Sequence, residues 1–304
     1  MSFQKLGGVP IAYLDDHVSV YIGDAFAMLG ALSLHPFKRK HGRIHVITDP
    51  PYDEHTHTKM VHGDGAGSAA GSQKSLFFAH LKGGQMEQLA RAFAKIATGW
   101  VLIFCADSHV HEWRHACVSE GMHWRRRCLW CKSNPMPKIQ GDGPAQGDES
   151  FVALWNNRPP SVWNGGGRHN MWTGPKEHSP IHPTQKPLWL MESIIENFTD
   201  KGDLIIDPFG GSFSTAVAAK KLGRQVLIFE YTPKMARMGI ARLRGQREQT
   251  TLFGEDVLLH GAEGAPKEAS GVILPPEAPV APVRMRQQTI TEIIPPKRPR
   301  KLAV

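Results

Sequence analysis

Cysteine is scarce in this chain, with four residues in 304. So few cysteines exclude a disulfide-stapled scaffold and favour a reducing compartment, so we expect a cytoplasmic protein. Long hydrophobic runs are also missing: the longest, such as 100–106, fall far short of the roughly 20 residues that a membrane helix needs. The first ten residues lack the basic flank and apolar core of a signal peptide. The sequence therefore predicts no membrane partner.

Acidic residues are outnumbered by basic ones, 28 against 36, which gives a net charge of +8. Residues 1–244 carry 28 basic and 21 acidic side chains, so most of the excess lies outside the C-terminal segment. Such an excess is compatible with a polyanionic partner without proving one. Hydrophobic residues make up 41% and charged residues 21%, a composition that excludes a fibre or a wholly disordered chain.

Short apolar runs alternate with helix-like patterns along the chain. The predicted strands are 18–22, 44–48, 101–105, 204–206 and 226–229, and the predicted helices are 86–97, 109–120, 188–198, 215–222 and 233–244. This alternation predicts an α/β fold with a doubly wound, mostly parallel sheet. We assign residues 1–250 to that domain and 251–304 to a Pro-rich, basic-ended tail that we expect to be disordered. Two stretches, 53–82 and 134–179, fit no regular pattern and are candidates for functional loops.

Asp49-Pro50-Pro51-Tyr52 directly follows the predicted strand 44–48. Ligands of α/β sheets bind beyond the carboxyl ends of the strands, so this tetrad stands where a site is expected. Asp49 and the Pro50 carbonyl can each accept one N–H of an exocyclic amine, and Tyr52 offers a ring on which a base can stack. The alternative is a simple strand-ending turn, which Asp-Pro-Pro also favours.

Two further motifs stand before predicted helices. The segment 207–215, Asp-Pro-Phe-Gly-Gly-Ser-Phe-Ser-Thr, joins a strand to a helix through a glycine turn, and Glu230 ends the next strand. This pattern suits a ligand cradled by backbone amides with its ribose on the acid, or else a packing turn with an incidental acid. The segment 182–187, His-Pro-Thr-Gln-Lys-Pro, supplies polar donors at a helix start, or serves only as a cap.

Taken together, these motifs resemble those of the S-adenosylmethionine-dependent DNA amino-methyltransferases in the permuted arrangement called the beta group. The order there is the Asp-Pro-Pro-Tyr tetrad, a target-recognition region, the His-Pro-Thr-Gln-Lys-Pro segment and finally the cofactor loop. This chain has that order, with 134–179 as a short recognition insert, and the resemblance covers about residues 15–245. One departure is Phe213, where the family has glycine; its ring can fit by turning outward against the helix.

The resemblance implies a role for each matching residue. The catalytic group is Asp49, Pro50, Pro51 and Tyr52. The residues expected to bind S-adenosylmethionine are Asp24, Thr184, Gln185, Lys186, Asp207, Phe209, Gly211, Ser212 and Glu230. No metal is expected.

The implied reaction is methyl transfer to adenine N6 in double-stranded DNA, with the target base flipped out and attacking the methyl group directly. Adenine follows from the aspartate that heads the tetrad, while cytosine N4 remains an alternative. A catalytically inert DNA-binding protein of the same fold is a second alternative. Enzymes acting on RNA or glutamine are disfavoured because their cofactor loop precedes the tetrad. The family implies a prokaryotic or viral cytoplasm, and the residues leave open a homodimer and a restriction partner.

A basic stretch precedes the recognition insert. Phosphate contact by its cations is one interpretation, and a solvated strand face is the other. The residues proposed to bind DNA are Arg125, Arg126, Arg127, Lys132 and Lys138. Cys128 and Cys131 lie in the same stretch but have no second cysteine pair at zinc-finger spacing, so we expect structural cysteines.

Overall fold

The computed structural model describes residues 5–34, 42–51, 81, 84–138, 141–157, 161–178, 180 and 184–245. Within these ranges, ten strands form one sheet in the order β1-β2-β3-β10-β9-β4-β5-β7-β6-β8. The strands are β1 (Lys5–Leu6), β2 (Val9–Leu14), β3 (Val18–Ile22), β4 (Ile44–Thr48), β5 (Trp100–Cys105), β6 (His123–Lys132), β7 (Asp148–Trp155), β8 (Met171–Gly174), β9 (Leu204–Asp207) and β10 (Gln225–Glu230).

The centre of the sheet is parallel. Strands β3, β10, β9, β4 and β5 run in one direction, with Glu230 opposite Ile22 and Ile228 opposite Asp207. The carboxyl ends of these five strands therefore meet at one edge, which is where the sequence motifs begin. Strands β2 and β7 run antiparallel to the outer members of the group, β3 and β5.

Helices cover both faces of the sheet. They are α1 (Ala25–Leu34), α2 (Gln85–Ile96), α3 (Val110–Ser119), α4 (Leu188–Phe198), α5 (Ser214–Lys221) and α6 (Pro233–Leu243), with a 3-10 turn at Asp107–His109. Because side chains alternate along a strand, Val46 belongs to the core cluster that holds residues of α1, α2 and α3, while its neighbour Ile47 belongs to the cluster that holds residues of α4, α5 and α6. The predicted α/β fold with helices on both faces of a mostly parallel sheet is confirmed.

The interpretation of 134–179 as a wholly irregular insert is wrong in its middle part. Residues 148–155 form β7, which pairs with β5 on one side and β6 on the other, and 171–174 form β8. The run Phe151-Val-Ala-Leu-Trp155 is fully buried, and its apolar character could have predicted this strand. The predicted loop 53–82, apart from Leu81, and the predicted tail 251–304 lie outside the described residues.

Candidate active site

Asp49 stands immediately beyond β4, at the edge where the parallel strands end. The residue before it, Thr48, is buried and donates its hydroxyl to Asp207 Oδ1 at 2.9 Å. This bond ties the end of β4 to the end of β9, although 159 residues separate the two side chains along the chain. Pro50, the next residue along the chain, is buried. Tyr52, the last member of the predicted catalytic tetrad, lies outside the described residues.

Lys186 brings its ammonium to the predicted catalytic carboxylate. Its Nζ lies 2.5 Å from Asp49 Oδ2 and 3.1 Å from Glu149 Oε2. The Lys186 side chain is only 7% exposed and also lies over the Phe104 ring, 5.0 Å from its centroid. The sequence motif predicted Lys186 near this edge but not its two carboxylate partners, and it gave no role to Glu149.

These charges stabilise one another's ionised forms. Burial alone would lower the pKa of the Lys186 ammonium, but Asp49 and Glu149 outweigh burial and raise it above the ordinary lysine value. Burial alone would raise the pKa of Glu149, yet the Lys186 and Lys132 ammonium groups hold it below its ordinary range. We therefore expect both side chains to be charged throughout the physiological pH range.

The glycine turn after β9 is held by hydrogen bonds to its neighbours. Asp207 Oδ1 also accepts the Phe209 N–H at 3.2 Å, and the Gly211 N–H donates to Glu230 Oε2 at 2.8 Å. The second Glu230 oxygen accepts the Thr232 N–H at 2.8 Å. The predicted acid at the end of β10 is thus bonded directly to the predicted cofactor loop.

Asp24 and Ser212 are two other predicted cofactor positions, one beyond β3 and one within this loop. Asp24 follows β3, which neighbours β10, and is exposed; its carboxylate accepts the Ala27 N–H at 2.9 Å, so it caps α1. Ser212 is buried, and its carbonyl accepts a hydrogen bond from Arg242 at 2.9 Å. Next along, the Ser214 hydroxyl donates to the Lys186 carbonyl at 2.8 Å, which joins the loop to the segment carrying Thr184 and Gln185.

Phe213 is fully buried, with a backbone φ of 61°. Among the described residues other than glycine, it alone has a positive φ. Its ring packs against Gly239 of α6: a Cβ built on that glycine would lie 2.4 Å from the ring. The prediction that it turns outward against the helix after the loop is wrong: the ring points into the core, beside α6. The glycine-type backbone conformation of the loop is retained despite the side chain.

Residues 44–241 match a family described as DNA methylase, N6_N4_Mtase, and this match takes in more than half of the chain. The chain belongs to the DNA methylase family. The family spans enzymes of the N6 and N4 amino-methyltransferase types, as the ordered motifs predicted.

Known proteins of this kind are similar over parts of the chain. The Type II methyltransferase M2.DpnII of Streptococcus pneumoniae is 30% identical over 166 residues, which is 49% of this chain and 62% of that protein. The DNA adenine methyltransferase YhdJ of Escherichia coli (strain K12) is 32% identical over 107 residues, which is 32% of this chain and 35% of that protein. The chain thus matches less than two thirds of the length of either relative.

A solved structure shares the fold. The crystal structure of the M1.HpyAVI-SAM complex superimposes with a TM-score of 0.56 at 22% identity, covering 74% of this chain and 99% of that one. At this level of identity, the likeness confirms the methyltransferase fold.

The basic stretch of this DNA methylase lies largely on β6, and three of its five predicted DNA-binding cations have carboxylate partners. Arg127 lies 2.5 Å from Asp107, Lys132 lies 2.8 Å from Glu149, and Lys138 lies 2.7 Å from Asp142. Ion pairing at surface positions does not prevent phosphate contact, but Lys132 is only 14% exposed.

Arg125 and Arg126 are arranged differently. The pairing of β6 with β7 shifts register between Trp124 and Arg126, and both arginines line the same open pocket of about 330 Å³. Arg168 and the Trp163 ring line it too. A β-bulge redirects side chains in this way, and Arg125 Nε is buried without a hydrogen-bond partner among the described residues.

Cys128 and Cys131 are free thiols on β6. Cys128 packs in the core, and Cys131, three residues later, faces the opposite side of the strand. Within the described residues, no group of three His, Cys, Asp or Glu side chains is placed to hold a metal ion, and no helix is long and apolar enough to cross a membrane.

Asp207 carries an unfavourable buried charge, and we expect Asp207→Asn to stabilise the fold at pH 8. Burial raises the pKa of this carboxyl to about 6, against the opposing hydrogen bonds from Thr215 and Thr48. A carboxyl whose folded pKa is raised loses stability as the pH rises from its unfolded pKa to its folded pKa. The asparagine should therefore increase the free energy of unfolding by up to about 3 kcal/mol at pH 8 and by little at pH 4.

Urea denaturation at the two pH values measures this difference. Asp203→Asn is the matched control, because hydrogen bonds from His45 and from two backbone amides outweigh burial and lower the pKa of Asp203. Its asparagine variant should be less stable than the wild-type protein at pH 8. Equal stabilisation at pH 4 and pH 8 would contradict the expected titration of Asp207.

Proposed function

We propose that this protein transfers a methyl group from S-adenosylmethionine to the N6 amino group of adenine in double-stranded DNA. The observation that carries the proposal is the direct bonding of three distant motifs at one edge of the sheet. Thr48, next to the tetrad, bonds to Asp207, and Lys186 bonds to Asp49. The family membership of the chain agrees with this chemistry.

The residues around the glycine turn fit S-adenosylmethionine. A carboxylate has about four acceptor sites, so Glu230 can accept ribose hydroxyls while it holds the amides of Gly211 and Thr232. The half-buried ring of Phe209 offers an apolar surface beside this acid, and Asp24 is exposed on the neighbouring strand end. We assign Thr184, Gln185, Lys186 and Ser212 to the methionine end, as the family resemblance implies. S-adenosylmethionine, when bound, supplies a methyl group activated by its sulfonium.

Asp49 and Pro50 would prepare the nitrogen for attack. The lone pair of an aromatic amine is delocalised into its ring, which makes the amine a poor nucleophile. Hydrogen bonds from its two protons to the Asp49 carboxylate and the Pro50 carbonyl favour a pyramidal nitrogen with a more available lone pair. Pro51 stiffens the turn that aims this carbonyl, and Tyr52 would stack on the flipped base, which is worth about 1–3 kcal/mol. Positioning of this kind suffices for a direct transfer, in which the new N–C bond forms as the bond from the methyl carbon to the sulfonium breaks. The proton that the methylated nitrogen sheds would pass to the Asp49 carboxylate and from there to solvent.

Adenine is the proposed target because an aspartate heads the tetrad, and because one relative is named as a DNA adenine methyltransferase. The family also includes N4 enzymes, so cytosine is the alternative outcome.

We assign DNA contact chiefly to Arg125 and Arg126. Together with Arg168 they line a pocket that has no acidic side chain among its described lining residues, so their guanidinium groups can meet phosphate. Arg127, Lys132 and Lys138 each have a carboxylate partner. A phosphate would therefore have to compete with that carboxylate at these three positions.

Transfer of labelled methyl groups to duplex DNA tests the function. The purified protein is incubated with S-adenosylmethionine and genomic DNA, the DNA is digested to nucleosides, and these are separated by mass. We expect N6-methyladenine, and sequencing of the modified bases would give the target context. Detection of N4-methylcytosine instead would show that the methylated base is cytosine. A protein that binds DNA but transfers no methyl group would favour the inert DNA-binding alternative.

A further inference from the structure

Four buried or half-buried charges form a continuous chain that ends at Asp49. The distances are 2.8 Å from Lys132 to Glu149, 3.1 Å from Glu149 to Lys186 and 2.5 Å from Lys186 to Asp49. The signs alternate, so the chain is neutral as a whole. Its members come from β6, from β7, from the segment before α4 and from the end of β4. No sequence motif links the first two to the last two.

A contribution to folding stability does not by itself explain this row of four charges. Buried ion pairs contribute little more to stability than apolar side chains of similar volume, since both partners lose their hydration. This row of four charges does restrict the position of the Lys186 side chain. The Ser214 hydroxyl donates to its carbonyl, the Phe104 ring centroid lies 5.0 Å from its ammonium, and Glu149 gives that ammonium a second carboxylate partner besides Asp49. Lys186 is held at both ends.

We propose that Glu149 is a positioning residue that fixes the Lys186 ammonium, and through it sets the orientation of the Asp49 carboxylate for the target amine. Lys132 in turn fixes Glu149 through their ion pair. The proposal rests on the proposed methyl transfer. Under this proposal Lys132 does not contact phosphate, because the Lys132 ammonium pairs with Glu149.

Loss of the Glu149 charge should slow the transfer step. In Glu149→Gln, the Lys186 ammonium keeps Asp49 as a partner but loses its second anionic partner. The ammonium and the Asp49 carboxylate paired with it are then free to shift together, away from the orientation that the target amine needs. Because misplacement by about 1 Å can reduce a rate 100-fold, we expect the single-turnover methylation rate to fall by about 10- to 100-fold. The affinities for S-adenosylmethionine and for DNA should change by less than about threefold.

The coupling between Glu149 and Lys132 is tested in the full-length protein with Glu149→Gln, Lys132→Gln and their double mutant. Because Lys132 acts through Glu149, the double mutant should be no slower than Glu149→Gln alone. Lys132→Arg should restore most of the rate lost in Lys132→Gln, since an arginine can still pair with Glu149. Glu192→Gln is the matched control: Glu192 of α4 is about as exposed as Glu149 and forms an ion pair with Lys221 of α5 at 2.8 Å, and its loss should leave the rate unchanged.

DNA binding at several salt concentrations separates the two roles of Lys132. A residue that contacts phosphate lowers the slope of log affinity against log salt by about one when it is neutralised. We expect that reduction for Arg126→Gln and no change for Lys132→Gln. A slope lowered by Lys132→Gln would return this lysine to the DNA interface and overturn its place in the chain.

Other results also overturn the proposal. These are a wild-type transfer rate in Glu149→Gln, or independent, multiplying effects of Glu149→Gln and Lys132→Gln. Thermal melting and cofactor binding show whether Glu149→Gln is folded. If it is not, the methylation rates of Lys132→Gln and Lys132→Arg test the proposal, and equal rates for these two variants reject the positioning role of Glu149. The wild-type product is identified first. Methylated cytosine would reject the adenine assignment while the variants still test positioning, and the absence of any methylation would reject the proposed function itself.

Discussion

Asp49→Asn should abolish methyl transfer, with a loss of about 1000-fold or more, while S-adenosylmethionine binding changes little. The amide keeps the shape of the side chain but removes the charge that accepts the amine proton and pairs with Lys186 at 2.5 Å. The predicted cofactor residues Glu230 and Gly211 bond to each other, so their geometry should persist. Methyl transfer from labelled cofactor and equilibrium binding of the cofactor measure the two properties separately.

Asp16→Asn is the matched control for this change, because Asp16 is an exposed acid in the turn before β3, away from the site. It should transfer methyl groups at the wild-type rate. Thermal melting of Asp49→Asn checks that it is folded, since removal of one partner from a buried ion pair can cost about 3–5 kcal/mol. A folded Asp49→Asn protein with full activity would reject the assignment of the catalytic tetrad.

Gly239→Ala should destabilise the protein by about 1–3 kcal/mol, although alanine favours helices. The new Cβ would lie 2.4 Å from Cγ and 2.5 Å from Cδ2 of the Phe213 ring, and these atoms cannot move far because Phe213 is fully buried. Overpacking of this kind forces backbone or rotamer shifts. Urea denaturation gives the change in the free energy of unfolding.

The sign of this effect should reverse when the ring is absent. In a Phe213→Gly background, the alanine methyl enters space left by the ring, so the helix preference of alanine remains and is worth about 1 kcal/mol. Gly30→Ala is the matched control on α1, because a Cβ there meets no atom within 4 Å, and it should stabilise the wild-type protein. Equal effects of Gly239→Ala in both backgrounds would contradict the packing of Phe213 against α6.

The parallel part of the fold could be predicted from the sequence because its elements are local patterns. Strands β3 and β4 were predicted with the bounds that the structure has, as was α4, and the other predicted elements agree within one or two residues. A strand at β6 was only one of two interpretations of the basic stretch and β8 was missed, because their half-exposed faces remove the continuous apolar run on which the strand prediction relied. Strand β7 was obscured by the glycine- and proline-rich residues on either side of it.

The candidate site divides in the same way. The sequence by itself determined which motifs stand at the carboxyl ends of strands, and hence that Asp49, Asp207 and Glu230 would share one edge of the sheet. Only the tertiary structure decided the partners of Lys186 and Lys132, and the direction of the Phe213 ring. Lys186 and Asp49 are 137 residues apart, and Lys132 meets Glu149 because β6 pairs with β7. Contacts between distant residues depend on strand order and register, which the packing of the whole sheet fixes and no local pattern encodes.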